Sequence, residues 1–477
     1  MNIYVGGLPS GYEVEHLIRL FYPRAPLFSS LPPAGEDSVC ALSHPDGLSV
    51  SVTIAGQERR AEAPFPLEDK PEFALASLAY DLLQQVTGLR PPWGKMTGVR
   101  PVRLIHDAAA QGKSQAEIDA LFLQHFDCTP QKYALAQRVA ACQAPILAQA
   151  TDQDYSLYIG IPFCPSRCSY CSFVSCNVAH DQKLVQPYVD KLCEEIIAIR
   201  DKAAENDLRL RTIYIGGGTP TSLSAAQLRQ LMQTVRDTFD LSVVSEYTVE
   251  AGRPDCTDAE KLAIIKEYGA TRISINPQTF SDDVLAAIGR KHSAEDIRDC
   301  YRTARALGHT TINMDLIAGL PGDTVEGFIE SLEEAIAFSP ENITVHTLTI
   351  KRASRIVIEG QEDEYADVAA MLAACTRLSD AGYQPYYLYR QKNTLQNLEN
   401  IGWCKPGTEG HYNIYIMEEM QTILSAGAGG STKLVSKQGN ALERVFNFKY
   451  PTEYINRFDE MLARKEAITD FFAKVQK

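Results

Sequence analysis

The sequence contains neither a long apolar run nor an excess of basic charge. No apolar stretch approaches the length needed to cross a bilayer, so we expect no membrane association. The first residues, MNIYVGGLPSGYEVEHLIRL, have no basic leader before an apolar segment, so we expect no signal peptide. The formal net charge of −14 argues against nucleic acid as a main partner, because binding phosphates requires a basic surface.

The 12 cysteines lack the spacing of a disulfide framework. Most are scattered singly along the 477 residues, which is typical of free thiols in a reducing compartment. We therefore expect a cytoplasmic protein. A chain of this length also exceeds one ordinary hydrophobic core, so we expect two or three domains.

One group of cysteines does have a characteristic spacing. Cys164, Cys168 and Cys171 lie in IPFCPSRCSYCSF as C-x3-C-x2-C. Three thiolates so close in sequence can bind three irons of a [4Fe–4S] cluster from one loop. The fourth iron then stays open to a small chelator, and the amino and carboxyl groups of S-adenosylmethionine suit it. Zinc is the alternative, with Cys176 as its fourth ligand.

Two regions of regular alternation follow one another along the chain. Residues 1–150 contain strand-like runs such as MNIYVGG and LSVSVTIAG and helical runs such as ALASLAYDLLQQVTG, which predict an N-terminal α/β domain of unknown role. In residues 151–350, six β-rich runs from YSLYIGIP to ITVHTLT alternate with amphipathic helical segments. This pattern is typical of a parallel sheet with right-handed crossovers and predicts a partial (β/α)6 TIM-like barrel.

Residues 351–477 have a mixed pattern and predict a C-terminal α+β lobe that covers the substrate site. YQPYYLYRQ predicts a strand with an aromatic face. MEEMQTILSAGAGGSTKL predicts the end of a helix followed by a glycine-rich turn. EYINRFDEMLARKEAI predicts a single final helix.

Chemically distinctive residues follow the predicted barrel strands, where parallel barrels carry their chemistry. The second strand ends in GGGTPT, whose glycines let a zwitterionic amino acid approach the backbone closely. Glu250 follows the third strand and can accept bonds from an amino group or a ribose. Gln278 and Asp315, after the fourth and fifth strands, can bind ribose hydroxyls. Arg290 can pair with a ligand carboxylate.

A cluster of cations follows the sixth strand. Lys351, Arg352 and Arg355 are crowded into five positions of IKRASR and predict a clamp for substrate carboxylates, which Arg390 can complete. A solvated basic loop is the alternative interpretation.

Taken together, four segments resemble the radical S-adenosylmethionine superfamily. They are IPFCPSRCSYCSF, GGGTPT, SINPQTF…IGRKH and NMDLIAGLPGDT. Within this superfamily they resemble the oxygen-independent coproporphyrinogen III oxidase (coproporphyrinogen dehydrogenase) family. Three further segments are similar to the branch of that family typical of Gram-positive anaerobes and bacilli. They are the C-terminal YYLYRQKNTLQNLENIGWCKPG and RVFNFKYPTEYI, and the N-terminal extension with WGKMTGVRP.

The resemblance implies two cofactors, a [4Fe–4S] cluster on the three cysteines and S-adenosylmethionine. In the family, a 5'-deoxyadenosyl radical abstracts hydrogen from a propionate of coproporphyrinogen III, carbon dioxide leaves and a vinyl group remains. Two such events give protoporphyrinogen IX in haem biosynthesis. The implied electron donor is a reducing protein such as flavodoxin or ferredoxin. The implied cofactor-binding residues are Tyr158, Tyr170, Gly217, Gly218, Thr219, Glu250, Gln278, Arg290, Asp315 and Ile317.

Two departures from the bacterial oxidases keep other functions open. Those enzymes carry a further cysteine one residue past the third ligand, where Ser172 and Phe173 follow Cys171 here. Their short N-terminal arm is replaced by about 150 residues. Relatives without that arm include haem chaperones and methyltransferases that open haem, so both remain alternatives to the oxidase.

Overall fold

The structure, a computed structural model, describes residues 1–33, 35–66, 70–98, 100–350, 354, 365–391, 394–437 and 440–475. The chain forms two compact units. The first comprises Met1–Gln137 with Gln396–Leu398, and the second comprises Arg138–Leu395 with Glu399–Lys477. The division into three regions at about residues 150 and 350 stays a prediction.

The first unit contains one five-stranded sheet and a set of helices. Its strands are β1 (Asn2–Gly6), β2 (Leu27–Phe28), β3 (Ser38–His44), β4 (Gly47–Ile54) and β5 (Gln57–Ala63). Its helices are α1 (Tyr12–Ile18), α2 (Pro71–Thr87), α3 (Pro101–Ala110), α4 (Gln115–Ala120) and the start of α5 (Pro130–Leu147).

The sheet of the first unit has the order β2-β1-β3-β4-β5. Strand β1 is parallel to both of its neighbours, whereas β3, β4 and β5 form antiparallel hairpins. Helices α1 and α2 bury Leu17 and Tyr80 in the same core as Val50 of β4. Helix α2 ends where Gly88 adopts a left-handed φ of 70°, which glycine adopts without steric cost. The predicted α/β character of this region is confirmed.

The second unit contains the remaining strands and helices. Its strands are β6 (Asp154–Ile161), β7 (Phe163–Cys164), β8 (Cys176–Asn177), β9 (Arg209–Gly217), β10 (Glu246–Glu250), β11 (Arg272–Ser274), β12 (Ile312–Ala318), β13 (Asn342–Thr347), β14 (Gln384–Arg390), β15 (Glu399–Cys404), β16 (Thr422–Ala426), β17 (Ser431–Ser436) and β18 (Ala441–Phe446). Its helices are α6 (Gln182–Glu205), α7 (Ala225–Thr238), α8 (Ala259–Glu267), α9 (Asp282–Ala287), α10 (Ala294–Ala306), α11 (Val325–Phe338), α12 (Val368–Ala374), α13 (Thr376–Asp380), α14 (His411–Glu418), α15 (Pro451–Asn456), α16 (Phe458–Ala463) and α17 (Glu466–Val475).

Eleven of these strands form one sheet in the order β14-β15-β13-β12-β11-β10-β9-β6-β16-β17-β18. The six strands β6, β9, β10, β11, β12 and β13 are parallel neighbours in chain order, with helices between them. Strand β6 is buried at all but one position, as expected for a parallel strand with both faces covered. The predicted partial (β/α)6 barrel is therefore confirmed.

The C-terminal region adds strands to both edges of this sheet. Strand β15 pairs antiparallel with β13, and β16 pairs parallel with β6. The helix predicted through TILSA is wrong, because α14 ends at Glu418 and Thr422–Ala426 is a fully buried strand. A run of only five residues is too short for its period to distinguish strand from helix, and pairing with β6 decides it. The predicted single final helix is three shorter ones.

A buried ion pair fixes the glycine-rich turn that follows β16. Lys465 Nζ lies 2.7 Å from Oε1 of Glu195, and both side chains are almost fully buried. Glu195 Oε2 also accepts hydrogen bonds from the Gly427 amide at 2.7 Å and the Tyr454 hydroxyl at 2.6 Å. Because buried charges require such partners, this network ties the turn firmly to helix α6.

Within the described part of the chain, no helix combines the length and the apolar character required to cross a bilayer.

Candidate active site

A cavity of about 590 Å³ opens at the carboxyl ends of the parallel strands in the second unit. All three motif cysteines line it, together with every residue predicted to bind the cofactor. Residues that lie up to about 160 positions apart in sequence are thereby brought to one site. The predicted residues on its wall are Tyr158, Cys164, Cys168, Tyr170, Cys171, Gly217, Gly218, Thr219, Glu250, Gln278, Arg290, Asp315 and Ile317.

The cysteine loop is held by contacts with neighbouring loops. The short strands β7 and β8 pair at its two ends. Cys164 Sγ lies 3.5 Å from Oγ1 of Thr219 in the GGGTPT turn. Arg253 Nη1 lies 3.6 Å from Cys168 Sγ and donates to the Ser166 carbonyl at 3.0 Å. The guanidinium therefore positions the loop and places positive charge beside a thiol.

The three motif thiols do not lie as close together as ligands of a single zinc ion must. Zn–S bonds of about 2.3 Å in a tetrahedron require sulfur atoms about 3.8 Å apart. Among the described residues, the three Sγ atoms do not form a set lying within 4.8 Å of one another. Cys176, the candidate fourth zinc ligand, belongs to β8 and is not on the cavity wall. Burial raises the pKa of the Cys164 and Cys171 thiols, so metal binding must displace their protons.

The glycines of GGGTPT leave space that a side chain would fill. Gly217 has a φ of +115°, outside the region that other residues prefer. A Cβ on Gly218 would lie 2.6 Å from the Phe163 carbonyl oxygen and 2.9 Å from Cys164 Sγ. The backbone here can therefore approach a ligand beside the cysteines only because these residues lack side chains.

Glu250 ends β10 beneath the cavity and accepts a 2.7 Å hydrogen bond from the Tyr214 hydroxyl. Burial raises the pKa of Glu250 to about 7, although the Tyr214 hydrogen bond opposes the shift, and the negative charge of Asp315 adds to it. The carboxyl group therefore changes its charge near neutral pH.

Gln278 and Asp315 are held side by side by the backbone. The main-chain N–H of Gln278 donates to the main-chain carbonyl of Asp315 at 2.9 Å. The main-chain carbonyl of Gln278 accepts from the main-chain N–H of Ile317 at 2.9 Å. Gln278 has a φ of +70°, which is uncommon for a residue other than glycine and often marks a functional constraint. Burial favours the neutral form of Asp315, but the nearby His346, at 3.7 Å, and a hydrogen bond from Asn313 outweigh it and lower the pKa.

The guanidinium of Arg290 is buried among carbonyl groups. Its Nη1 donates to the carbonyls of Asn276 at 2.8 Å and Gly252 at 3.3 Å, and its Nη2 donates to the Tyr170 hydroxyl at 3.2 Å. Arg290 thus fixes the aromatic ring that precedes Cys171, and the cation lies on the cavity wall.

A stack of tyrosines forms another part of the wall, and the sequence predicted only Tyr158 of it. The Tyr214 and Tyr412 rings stack at 4.5 Å, and Tyr158 stacks against Tyr214 at 6.2 Å. Tyr412 comes from α14, more than 150 residues after the cysteines. Alternation along β6 and β9 places Tyr158 and Tyr214 on one face, but no local signal in the sequence adds Tyr412.

Further polar and aromatic groups line the cavity beyond the cofactor-binding set. The Tyr389 hydroxyl lies 3.3 Å from Nδ1 of His346, whose Nε2 lies 3.7 Å from Oδ2 of Asp315. Lys433 of β17 also lines the cavity and lies 3.1 Å from a carboxylate oxygen of Glu419. Sequence reasoning missed Lys433, because nothing in its neighbourhood of sequence distinguishes it.

The residues predicted to form a carboxylate clamp are not found on the cavity wall among the described residues. Lys351, Arg352 and Arg355 lie outside the described residues. Arg390 is described and buried at the end of β14, but it is not among the residues on the cavity wall. Among the described wall residues, the cations are Arg167, Arg253, Arg290 and Lys433.

Comparison with known proteins shows which family has this site. Residues 158–335 match the Radical SAM superfamily. The chain is 37% identical to the oxygen-independent coproporphyrinogen-III oxidase-like protein HemZ of Bacillus subtilis, over 97% of this chain and 96% of that protein. The chain belongs to the radical SAM superfamily and, within it, to the oxygen-independent coproporphyrinogen III oxidase-like family.

Two other proteins are also similar. The haem chaperone HemW of Bacillus subtilis is 41% identical over 58% of this chain and 70% of its own length. The coproporphyrinogen III oxidase HemN from Escherichia coli, a radical SAM enzyme, shares the fold with a TM-score of 0.52 and 22% identity, over 68% of this chain and 73% of that one. Membership of the superfamily implies a [4Fe–4S] cluster and S-adenosylmethionine as cofactors.

Proposed function

We propose that this protein removes carbon dioxide oxidatively from propionate side chains of coproporphyrinogen III and so forms protoporphyrinogen IX without oxygen. The observation that supports this most is that one cavity joins the three-cysteine loop to a wall of tyrosines and a lysine. A near full-length relative with an oxidase-like name is consistent with it. A low-potential flavodoxin or ferredoxin is the proposed electron donor, and the cytoplasm is the proposed location.

Cys164, Cys168 and Cys171 would hold the cluster, and the Gly217–Gly218–Thr219 backbone would hold the methionine end of S-adenosylmethionine. When bound, the two cofactors supply a 5'-deoxyadenosyl radical, which takes one hydrogen atom from the substrate. Arg290 offers a positive charge for the methionine carboxylate, and Glu250 accepts bonds from the ammonium group. These two charges would set the orientation of the amino acid end.

The nucleoside end would lie against the neighbouring strand ends. The Gln278 amide can both donate to and accept from ribose hydroxyls, and the Asp315 carboxylate keeps free lone pairs beyond its bond from Asn313. Ile317 offers a buried apolar surface for the adenine, and Tyr158 and Tyr170 exclude water from the same region. Excluding water would keep the radical chemistry that the cofactors supply away from solvent.

The tetrapyrrole would lie on the aromatic wall, with Tyr387 and Tyr389 against its rings and Lys433 paired with a propionate. A bound carboxylate needs a cation because an unpaired charge in a closed site is costly.

Each converted propionate loses one hydrogen atom, one electron and carbon dioxide, and becomes a vinyl group. The electron passes to a one-electron acceptor.

The test is an anaerobic assay with the reconstituted protein, coproporphyrinogen III, S-adenosylmethionine and a chemical reductant. We expect vinyl-bearing product and 5'-deoxyadenosine in a fixed ratio, and neither from the Cys168→Ser variant. If 5'-deoxyadenosine forms at the same slow rate with and without the porphyrinogen, the proposed substrate is wrong. Methyl transfer with a linear tetrapyrrole product would instead indicate a methyltransferase.

A haem chaperone is the second candidate, favoured by the 41% identity to HemW over 58% of this chain. The serine and phenylalanine after Cys171, in place of a further cysteine, also separate this chain from the bacterial oxidases it resembles. A chaperone would bind one haem stably and would transfer it to an acceptor protein. Haem titration followed by absorbance, run beside the turnover assay, distinguishes the two functions.

A further inference from the structure

A second cluster of metal-binding groups lies outside the cavity just described. In the described part of the chain, Cys142 Sγ, Cys404 Sγ and a carboxylate oxygen of Glu409 all lie within 4.8 Å of one another. Cys404 is fully buried and Cys142 is half-buried. Neither cysteine lies within residues 158–335, which match the superfamily, and none of the three residues lines the main cavity.

Three separate elements of the second unit supply these groups. Cys142 lies in the carboxyl-terminal half of α5, Cys404 is the last residue of β15, and Glu409 lies in the loop before α14. Only the folded chain brings them together, since more than 260 positions separate the two cysteines in sequence.

A fourth polar side chain faces the same point. Gln384, the first residue of β14, pairs with Cys404 in the sheet. Its Nε2 lies 2.9 Å from Oε1 of Glu409 and 3.6 Å from Cys142 Sγ. Because the oxygen and nitrogen of a glutamine amide are assigned from their hydrogen bonds, a half-turn of this amide would present its oxygen instead.

The loop that carries Glu409 is fixed by a buried cation. Arg272 Nη2 donates to the carbonyls of Thr408 at 2.8 Å and Glu409 at 3.1 Å. Two thiolates and one carboxylate around a divalent ion would leave one net negative charge. The guanidinium of Arg272, which also lies 3.6 Å from the Glu246 carboxylate, places positive charge against this loop, so a neutral fourth ligand suits the site better than a further charged one.

We propose that Cys142, Cys404 and Glu409 bind a Zn²⁺ ion, with the Gln384 amide oxygen or a water molecule in the fourth position. Thiolates select thiophilic cations, whereas Ca²⁺ and Mg²⁺ prefer oxygen ligands throughout. Zn–S bonds of about 2.3 Å would draw the sulfur atoms to about 3.8 Å apart, a shift of about 1 Å at most. Binding releases the two thiol protons.

Such a site would be structural. It would clamp the end of α5 to the antiparallel edge of the sheet, where β14 and β15 meet. The cysteines of the radical SAM motif would bind iron, a different element. The iron and zinc contents of one preparation can therefore be measured independently.

The test is metal analysis of the full-length protein, purified anaerobically under reducing conditions with its cluster in place. We expect about one zinc per chain in addition to the iron, and loss of the zinc but not of the iron in Cys142→Ser and Cys404→Ser. Cys375→Ser is the matched control, because Cys375 is buried in the same unit, donates to the Met371 carbonyl and is not a member of the cluster. The control should keep both metals.

Two measurements keep the proposal open to refutation if a cysteine variant misfolds. Competition with a chromogenic chelator should show Zn²⁺ binding weakened by about ten- to a hundredfold in Gln384→Ala, as for other groups that support a metal ligand. In the unmodified protein, chelation should expose Cys142 to alkylation, and added Zn²⁺ should protect it. Unchanged zinc content in both cysteine variants, or a Cys142–Cys404 disulfide with no zinc under reducing conditions, would overturn the proposal whatever the substrate of the enzyme.

Discussion

The Tyr214 hydroxyl donates a 2.7 Å hydrogen bond to Oε1 of Glu250 at the base of the cavity. Tyr214 lies within β9 and Glu250 ends the adjacent parallel strand β10, so the sheet itself sets their separation. Burial nevertheless raises the pKa of Glu250 to about 7, because one hydrogen bond does not replace full hydration of the carboxylate. The base of the site therefore titrates near neutral pH.

This titration predicts how cofactor binding depends on pH. Below pH 7 Glu250 is mostly neutral, and above pH 7 it is a carboxylate that attracts the ammonium group of S-adenosylmethionine. We expect the affinity to rise as pH increases from 6 to 8, by up to about tenfold for one charged hydrogen bond. Calorimetric titration across this range measures it, and Glu250→Gln should flatten the profile.

The same group predicts a trend in the stability of the protein before cofactor is added. The pKa of Glu250 is higher in the folded chain than its ordinary value of 4.5, so the folded state holds the extra proton between about pH 4.5 and 7. The free energy of unfolding contributed by this group is therefore greatest below pH 4.5 and falls as pH rises through 7. Denaturant unfolding of the unmodified protein and Glu250→Gln at pH 6 and pH 8 should show a smaller decrease in the variant. An equal decrease in both would contradict the assignment.

The cysteine assignment predicts different effects of two nearby substitutions. Cys168→Ser should lose most of the bound iron and its visible absorbance, because oxygen replaces a thiolate ligand. Cys176→Ser should keep both, since Cys176 belongs to β8 and does not line the cavity. Iron analysis and electron paramagnetic resonance of the reduced proteins measure this. Equal iron in the two variants would exclude Cys168 as a ligand.

Gly218 predicts a steric test of the same region. A Cβ at this position would lie 2.9 Å from Cys164 Sγ and 2.6 Å from the Phe163 carbonyl oxygen, so Gly218→Ala must displace the cysteine loop. We expect reduced iron content and little cofactor cleavage. Gly98→Ala is the control, because a Cβ there would meet no atom within 4 Å.

Lys433 predicts how the substrate carboxylate is bound. Lys433→Gln should raise KM for the porphyrinogen by about tenfold, the usual value of one charged hydrogen bond, and should leave slow cofactor cleavage without substrate unchanged. The Arg444 side chain pairs with the same Glu419 at 2.6 Å but does not line the cavity, so Arg444→Gln is the control. If KM for the porphyrinogen rises in Arg444→Gln but not in Lys433→Gln, Lys433 does not bind the substrate carboxylate, and the ion pairs of Glu419 are what matter for KM.

Much of the catalytic half could be predicted from sequence because its signals are local. The three cysteines lie within eight positions, GGGTPT directly follows a strand, and six strand–helix repeats have one simple arrangement as a parallel sheet. Residues at the ends of successive parallel strands must meet at one edge, so the predicted cofactor-binding residues line one cavity.

Other features depend on pairings that no local pattern contains. The run TILSA became a strand because it pairs with β6, and Tyr412 joined the tyrosine stack through α14. The contact of Arg253 with Cys168 joins loops 85 positions apart.

The sequence by itself determined the order of the barrel strands, the three cysteines and the glycine turn, because spacing and period are properties of neighbouring residues. The tertiary structure alone decided which tyrosines and which lysine complete the cavity wall, and it alone brought together Cys142, Cys404 and Glu409. Those residues meet only after the C-terminal strands have added to the edges of the sheet. No local sequence pattern predicts that residues so far apart in the chain will be in contact.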